Sequence, residues 1–349
     1  MKYLFTLLTA FIITTSSAKA DYTMVVPDKP GSGIAVWTNI VVTELNKYLD
    51  EKIVIRHIPG GGTISGVNEW HDKLRQDNKT LVVTGGANNI HYLINNQTRY
   101  DYSYDVIGLQ SLNIIAGRIK GAERIIFPSK GSHTPEAMAY TMLEAGPGLT
   151  VDEYIEFFKN KTTWVKGMSQ KEFRLSFRRG EITGTRENPA AFKKHVQPVI
   201  DEGKAELWFH HGVLNPATGV QEDDVNYPGF LFADLFEKRW GVKPSGDFYD
   251  AYRLVTSYRD GVNKAIWINS GSSHTEKLLE AMRQVATNPD SVKAVKKKVG
   301  NYGWIIGADG NKQRDLLSNM ITPKAYNTLV KFVDGALGIA ADSKQEFLK

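Results

Sequence analysis

Tyr22-Thr23-Met24-Val25-Val26-Pro27-Asp28-Lys29-Pro30-Gly31-Ser32-Gly33 is the stretch that decides the architecture. Tyr22–Val26 is β-rich, the residues after it are Pro, Gly and Ser in a loop, and a helical pattern follows over 36–49. The rhythm returns twice. Ile53–His57 reads as a second strand, followed by Pro59-Gly60-Gly61-Gly62 and a helical stretch over 64–74. Thr80–Thr84 reads as a third, ending in a loop Gly85-Gly86-Ala87-Asn88-Asn89. Strand, glycine loop and helix in series form the βαβ pattern of a parallel sheet. Right-handed crossovers bring all three loops to the carboxyl edge of that sheet.

Outward from this core, a second series begins at Ile125–Phe127, with a loop over 129–135 and a helix over 136–144. Further strands are expected at 162–165, 181–185 and 205–210, and helices at 171–178 and 189–202. Residues 212–250 are rich in Gly, Pro and Asp and read as a surface connection with one helix near 230–240. The last third is helical over 275–287, 289–299, 311–319 and 323–336. A chain of 349 residues accommodates two lobes of ordinary domain size.

The first residues carry a different signal. Met1-Lys2 is a short basic start, 3–13 an apolar run, and Ala18-Lys19-Ala20 has the small-x-small form of a cleavage site. Residues 1–20 are expected to be a removed signal peptide, which directs the chain to the periplasm. The apolar run is too short for a membrane span, which takes about 20 residues. There is no cysteine, so disulfides, thiolate metal sites, a lipid-anchoring Cys and a cysteine nucleophile are excluded. The net charge of +5 is mild, and the Lys293–Lys298 cluster lies in a helical pattern as a solvated basic face; nucleic acid is not expected as a partner.

Catalytic motifs are missing. No G-x-S-x-G elbow, H-E-x-x-H pair, EF-hand loop or G-K-[ST] phosphate loop occurs. Gly60-Gly61-Gly62…Gly66 has the wrong spacing for a dinucleotide loop. His210-His211 ends an expected strand without partners at ligand spacing, so a structural role is expected and no metal. No cofactor is expected. What remains is a set of strand-to-helix loops poor in catalytic groups but rich in backbone N–H groups at helix starts, which favour anions.

These loops resemble those of the tripartite tricarboxylate transporter substrate-binding proteins, the Bug receptors. Val25–Gly33 resembles their first loop, Ile58-Pro59-Gly60-Gly61-Gly62-Thr63-Ile64 their second Pro-Gly-rich signature, and 80–89 their third strand and loop. Residues 100–109, 129–136 and 164–167 are similar to later family stretches, so the likeness spans nearly the whole mature chain in order. It departs in three places: Ala35 stands where the family commonly has Asp, the second signature is one residue shorter and closes on Ser65, and 212–250 is longer.

The resemblance implies an α/β, bilobed Venus-flytrap fold: two βαβ lobes joined by a hinge, with lobe 1 from 21–112 and 258–349 and lobe 2 from 113–257. It implies a non-enzymatic periplasmic protein that captures a small carboxylate and delivers it to integral membrane permease subunits. A sensor that presents its solute to a signalling partner is the alternative, and a secreted enzyme on the same scaffold a third reading. A monomer is expected. The expected ligand-binding residues are Ser32, Gly33, Ile34, Gly61, Gly62, Thr63, Asn88 and Asn89 from the first lobe. Ser132, His133, Thr134 and Lys166 are expected from the second. Lys29, Lys130, His133 and Lys166 are the ionisable loop residues, expected to attract anions.

Overall fold

Tyr22, Met24, Val25 and Val26 are all fully buried, as a central strand covered on both faces requires. The computed structural model of the protein describes residues 21–128, 133–165, 167–215, 217–341 and 344–348. The expected signal peptide at 1–20 lies outside them. In chain order the first part runs β1 (Tyr22–Val26), α1 (Gly33–Leu45), β2 (Ile53–His57), α2 (Ile64–Glu69), β3 (Thr80–Gly85), α3 (Gly86–Ile94) and β4 (Tyr104–Gln110). The middle runs β5 (Ile115–Ile119), β6 (Ile125–Pro128), α4 (Thr134–Ala145), α5 (Val151–Lys161), β7 (Thr162–Val165), α6 (Gln170–Arg178), β8 (Gly184–Glu187), α7 (Pro189–His195), α8 (Gln197–Asp201) and β9 (Ala205–His210). A short hairpin, β10 (Val213–Leu214) and β11 (Gln221–Glu222), and α9 (Phe232–Trp240) lead to the long α10 (Asp247–Gly261). The chain ends with β12 (Lys264–Asn269), α11 (Thr275–Thr287), α12 (Pro289–Val299), α13 (Ala308–Asn319) and α14 (Pro323–Leu337).

The first sheet has the order β2-β1-β3-β12-β4. β1 is parallel to β2 and to β3, as the repeated loops require. β12 is antiparallel to both β3 and β4. It is a strand from late in the chain, placed in the middle of the early sheet. The second region has the antiparallel order β8-β5-β9 and a parallel pair β6-β7. The chain leaves the first sheet after β4 and returns to it through α10.

Alternation along the strands divides the burial. Met24, Val26, Leu81 and Val83 face a cluster with α1 and α11 through Trp37, Val41 and Met282. Val25 and Val82 face the opposite way, into a core that continues without a break to Phe127, Phe209, Tyr252 and Phe332 of the second region. α14 packs on α5 and α10 rather than on the first sheet, so the last helix does not follow the expected assignment of 258–349 to the first lobe.

Other expectations shift. The helix expected over 189–202 is broken at Val196, because Pro198 has no N–H to continue it. The strand expected at 181–185 lies at Gly184–Glu187. Gly86 to Asn89, expected as loop, open α3. α5 had a legible start: Thr150 and Glu153 form a reciprocal capping box ahead of Tyr154, Ile155 and Phe158.

Candidate functional site

The three loops after β1, β2 and β3 meet at one edge of the first sheet. A Cβ at Gly66 would fall 2.7 Å from Pro27 Cα and 2.4 Å from the Ile58 carbonyl, so the first two loops touch at a point only glycine permits. Asn88 Nδ2 donates to the Thr63 carbonyl at 3.0 Å and ties the third loop to the second. A Cβ at Gly85 would lie 3.3 Å from Ile34 Cδ1, which closes the ring from the third loop to the first.

Each loop delivers a helix start. Ser32 caps α1, its Oγ accepting from Ala35 N at 3.3 Å, and its hydroxyl hydrogen remains able to donate. The first-turn amides of such a helix have no intrahelical acceptor. Ala35 is fully buried with the core cluster behind β1, so the position where the family commonly carries Asp is here a packing position. Gly61 and Gly62 hold φ of 54° and 64° in a tight 3-10 turn, and Thr63 follows at φ 90°, a left-handed conformation costly for a β-branched residue. Thr63 Oγ1 is buried and bonds no described atom. His91 stands under this turn, and burial lowers its pKa against the opposing hydrogen bond from Gly62.

Not every expected residue faces this edge. Asn89 is fully buried; its Nδ2 donates to the carbonyls of Tyr258 and Val262 at 2.9 and 3.0 Å, and its Oδ1 accepts from Tyr102. That amide is saturated and holds α3 to α10. Asn88 is likewise structural in part, accepting from Gly85 N as a reciprocal cap. Lys29 is exposed on the rim. In the second region, His133 is buried edge-on to Trp164 and Phe173, and Thr134 is buried at the start of α4. Ser132, Lys130 and Lys166 lie outside the described residues. His210 and His211 are structural: His211 bridges Glu136 at 2.9 Å and Tyr252 at 2.8 Å, and His210 pairs with the Tyr227 carbonyl at 3.0 Å.

A buried ionic cluster, not anticipated from the sequence, adjoins the third loop and joins the two regions. Arg259 of α10 pairs with Glu136 of α4 at 2.6 Å and chelates Asp260 at 2.7 and 2.9 Å. Its Cγ would be 2.8 Å from a Cβ at Gly86, so it reaches α3 as well. Burial opposes charge on Glu136, yet Arg259, then His211, hold its pKa far below the ordinary carboxylate range. Two further cations complete the cluster. Arg186 of β8 senses Glu136, Arg259 and Asp260, burial being the main influence lowering its pKa. Lys264, first residue of β12, is brought down to about 8 by burial and then by Arg186. Neither strand nor loop patterns mark these positions, because they are brought together only by α10 and β12.

Two larger cavities lie elsewhere. One of about 320 Å³ is formed by Asp101, Ser103, Asp105, Ser270 and Arg314, and one of about 710 Å³ by Trp304, Ile306, Gly307 and Lys312. Neither touches the three loops, and the first is a polar recess where Asp105 is bonded to Ser270. Chemistry, rather than volume, places the candidate site at the loop edge.

No family model matches the chain, and no curated protein sequence matches it. Solved structures do. The periplasmic binding protein BugD superposes with a TM-score of 0.53 at 13% identity, covering 90% of this chain and 98% of its own. A TctC solute-binding protein from Polaromonas gives 0.53 at 13% identity, covering 90% and 99%. R. palustris Rpa4515 with adipate gives 0.52 at 13% identity, covering 91% and 97%. The chain has the α/β fold of these solute-binding proteins over nearly its whole length. No helix among the described residues is long and apolar enough to cross a membrane.

Proposed function

We propose that the chain is a periplasmic solute-binding protein of the tripartite tricarboxylate transporter type, which captures a small organic anion and hands it to membrane permease subunits. The observation that carries this reading is the ring of three strand-end loops, linked through Gly66, Asn88 and Gly85, at one edge of a parallel sheet. Ligands of open α/β sheets bind at that edge, and helix starts with unshared amides suit an anion. Gly33, Ile34, Gly61, Gly62 and Thr63 are the binding residues of the first lobe in this reading, with Ser32 donating through its hydroxyl. His133, Thr134 and the 129–132 and 166 segments close from the second. The fold shared with BugD and with adipate-bound Rpa4515 supports the same class.

The function is binding without turnover. The loops hold donors rather than an acid–base pair, and charge-assisted hydrogen bonds to a carboxylate are about twice as strong as neutral ones. A thermal-shift screen against organic acids, amino acids and sugars tests the proposal. A ligand that binds only the native state at a hundredfold excess over Kd stabilises it by about 2.7 kcal/mol. Stabilisation by an organic acid, with no change in the acid on prolonged incubation, is expected. Stabilisation by sugars alone, or consumption of the acid, defeats the proposal.

A further inference from the structure

We infer that an acid group of the ligand docks against Lys264, facing Arg186, as the counter-charge missing from the seam between the two regions. The inference rests on the proposed function and makes it more specific: it assigns a cation to a site otherwise built of amides and hydroxyls. The cluster holds three cations, Arg186, Arg259 and Lys264, against two carboxylates, Glu136 and Asp260. Arg259 takes both carboxylates for itself. Glu187, the nearest further carboxylate to Arg186 in sequence, is held by Arg174 at 2.5 and 3.0 Å. Lys264 Nζ is held only by neutral oxygens, Asn263 Oδ1 at 2.9 Å and the Asn263 carbonyl at 3.3 Å. No carboxylate among the described residues pairs with it.

The position of that ammonium makes it a binding group. Lys264 pairs with Gly85 across β12 and β3, and a Cβ at Gly85 would sit 3.4 Å from Nζ. The ammonium therefore comes up beside the start of α3 and next to Ile34 of α1, at the edge where the three loops meet. Burying a cation without a partner is costly, and a protein that keeps one at a helix start gains it back when an anion arrives. The groups that face Lys264 are Arg186 from β8 and Asp260 from α10, with Arg259 and Glu136 behind them. β3 and α1 present only Gly85 and Ile34 to it. One unit of positive charge is left for a ligand to neutralise.

The experiment is calorimetric titration with succinate, malate and adipate, and with adipamide as the neutral match of adipate, on wild type, Lys264→Met and Lys264→Arg. At least one acid is expected to bind wild type, and adipate at least tenfold more tightly than adipamide. Lys264→Met should lose tenfold or more in affinity. Lys264→Arg should retain most of it. Between pH 7 and 9 the wild-type affinity should fall as Lys264 loses its proton, while Lys264→Arg stays flat. A merely structural lysine would not produce that contrast. If an acid binds wild type and Lys264→Met equally, with the same pH profile, the inference is overturned and the proposed function stands. If adipamide binds as well as adipate, the ligand's charge is not read and the inference also fails. If none of the three acids binds wild type, this reading of the site's ligand falls with it.

Discussion

Gly33 and Gly61 separate what a side chain does to the fold from what it does to a ligand. Gly33 is the first residue of α1, and a Cβ there meets nothing within 4 Å. Gly33→Ala should therefore leave stability unchanged or raise it by up to about 1 kcal/mol, since Ala is the better helix former. The same methyl stands over the α1 amides, so affinity for an anion should fall, and titration alongside a melting curve reads both. Gly61 has φ 54° and a would-be Cβ 3.2 Å from Ser65 Oγ. Gly61→Val should cost about 1–2 kcal/mol in folding as well as binding. Lys29→Ala, on the exposed rim, should change the on-rate and its salt dependence while leaving Kd nearly intact at physiological salt. Lys264 makes a pH prediction of its own. Its pKa is lowered from 10.5 to about 8, so between those values the unfolded chain binds the more protons. Stability of the ligand-free protein should rise with pH through that window, as the penalty of a buried charge is relieved. Lys344 shifts the same way and acts in parallel, so the measurement is the difference in urea midpoint between wild type and Lys264→Met.

At the scale of elements, the junction of α4 with α10 bears the greatest stake. Arg259 and Glu136 are both buried, and one of them cannot be removed without stranding the other. Glu136→Ala should destabilise by about 3–5 kcal/mol, read as a shift in the denaturation midpoint. The carboxyl pKa is lowered in the folded state, so its contribution is complete above the ordinary value of 4.5 and is lost as pH falls below it. The acid limb of the stability curve should flatten in Glu136→Gln. Helices were legible where their ends were marked, as at Thr275–Thr287 and at Pro289–Val299, where Asn288 caps and Pro289 fills the first position. β4, β5, α10 and β12 were not read. β12 in particular, Lys-Ala-Ile-Trp-Ile-Asn, has nothing in its own pattern to say which sheet receives it.

The whole molecule is two sheets around one core. The cluster from Val25 and Val82 to Phe209 and Phe332 has no gap at the boundary, and α10 and α14 run through it as a shared spine. The hairpin of β10 and β11 adds a strap: a Cβ at Gly261 would meet Leu214 at 2.9 Å and Leu317 of α13 at 3.5 Å. Unfolding should be a single transition, with circular dichroism and tryptophan fluorescence superimposing. Phe332→Ala should move the whole transition by about 3–5 kcal/mol rather than split it. Two separated transitions would show that the regions fold independently despite the common core.

The sequence by itself determined the parallel arrangement of β1, β2 and β3 and the gathering of their loops at one edge. Those follow from local rules: period-two burial, glycine and proline turns, and the handedness of crossovers. It also determined that the loops offer amides at helix starts. Tertiary structure alone decided that Asn89 is saturated by α10, that Ala35 is a packing position, and that Lys264 and Arg186 stand at the seam. Lys264 and Arg186 are 78 residues apart and come from different sheets. Local pattern constrains a residue's own element, but the partner of a buried charge is set by which distant elements pack together.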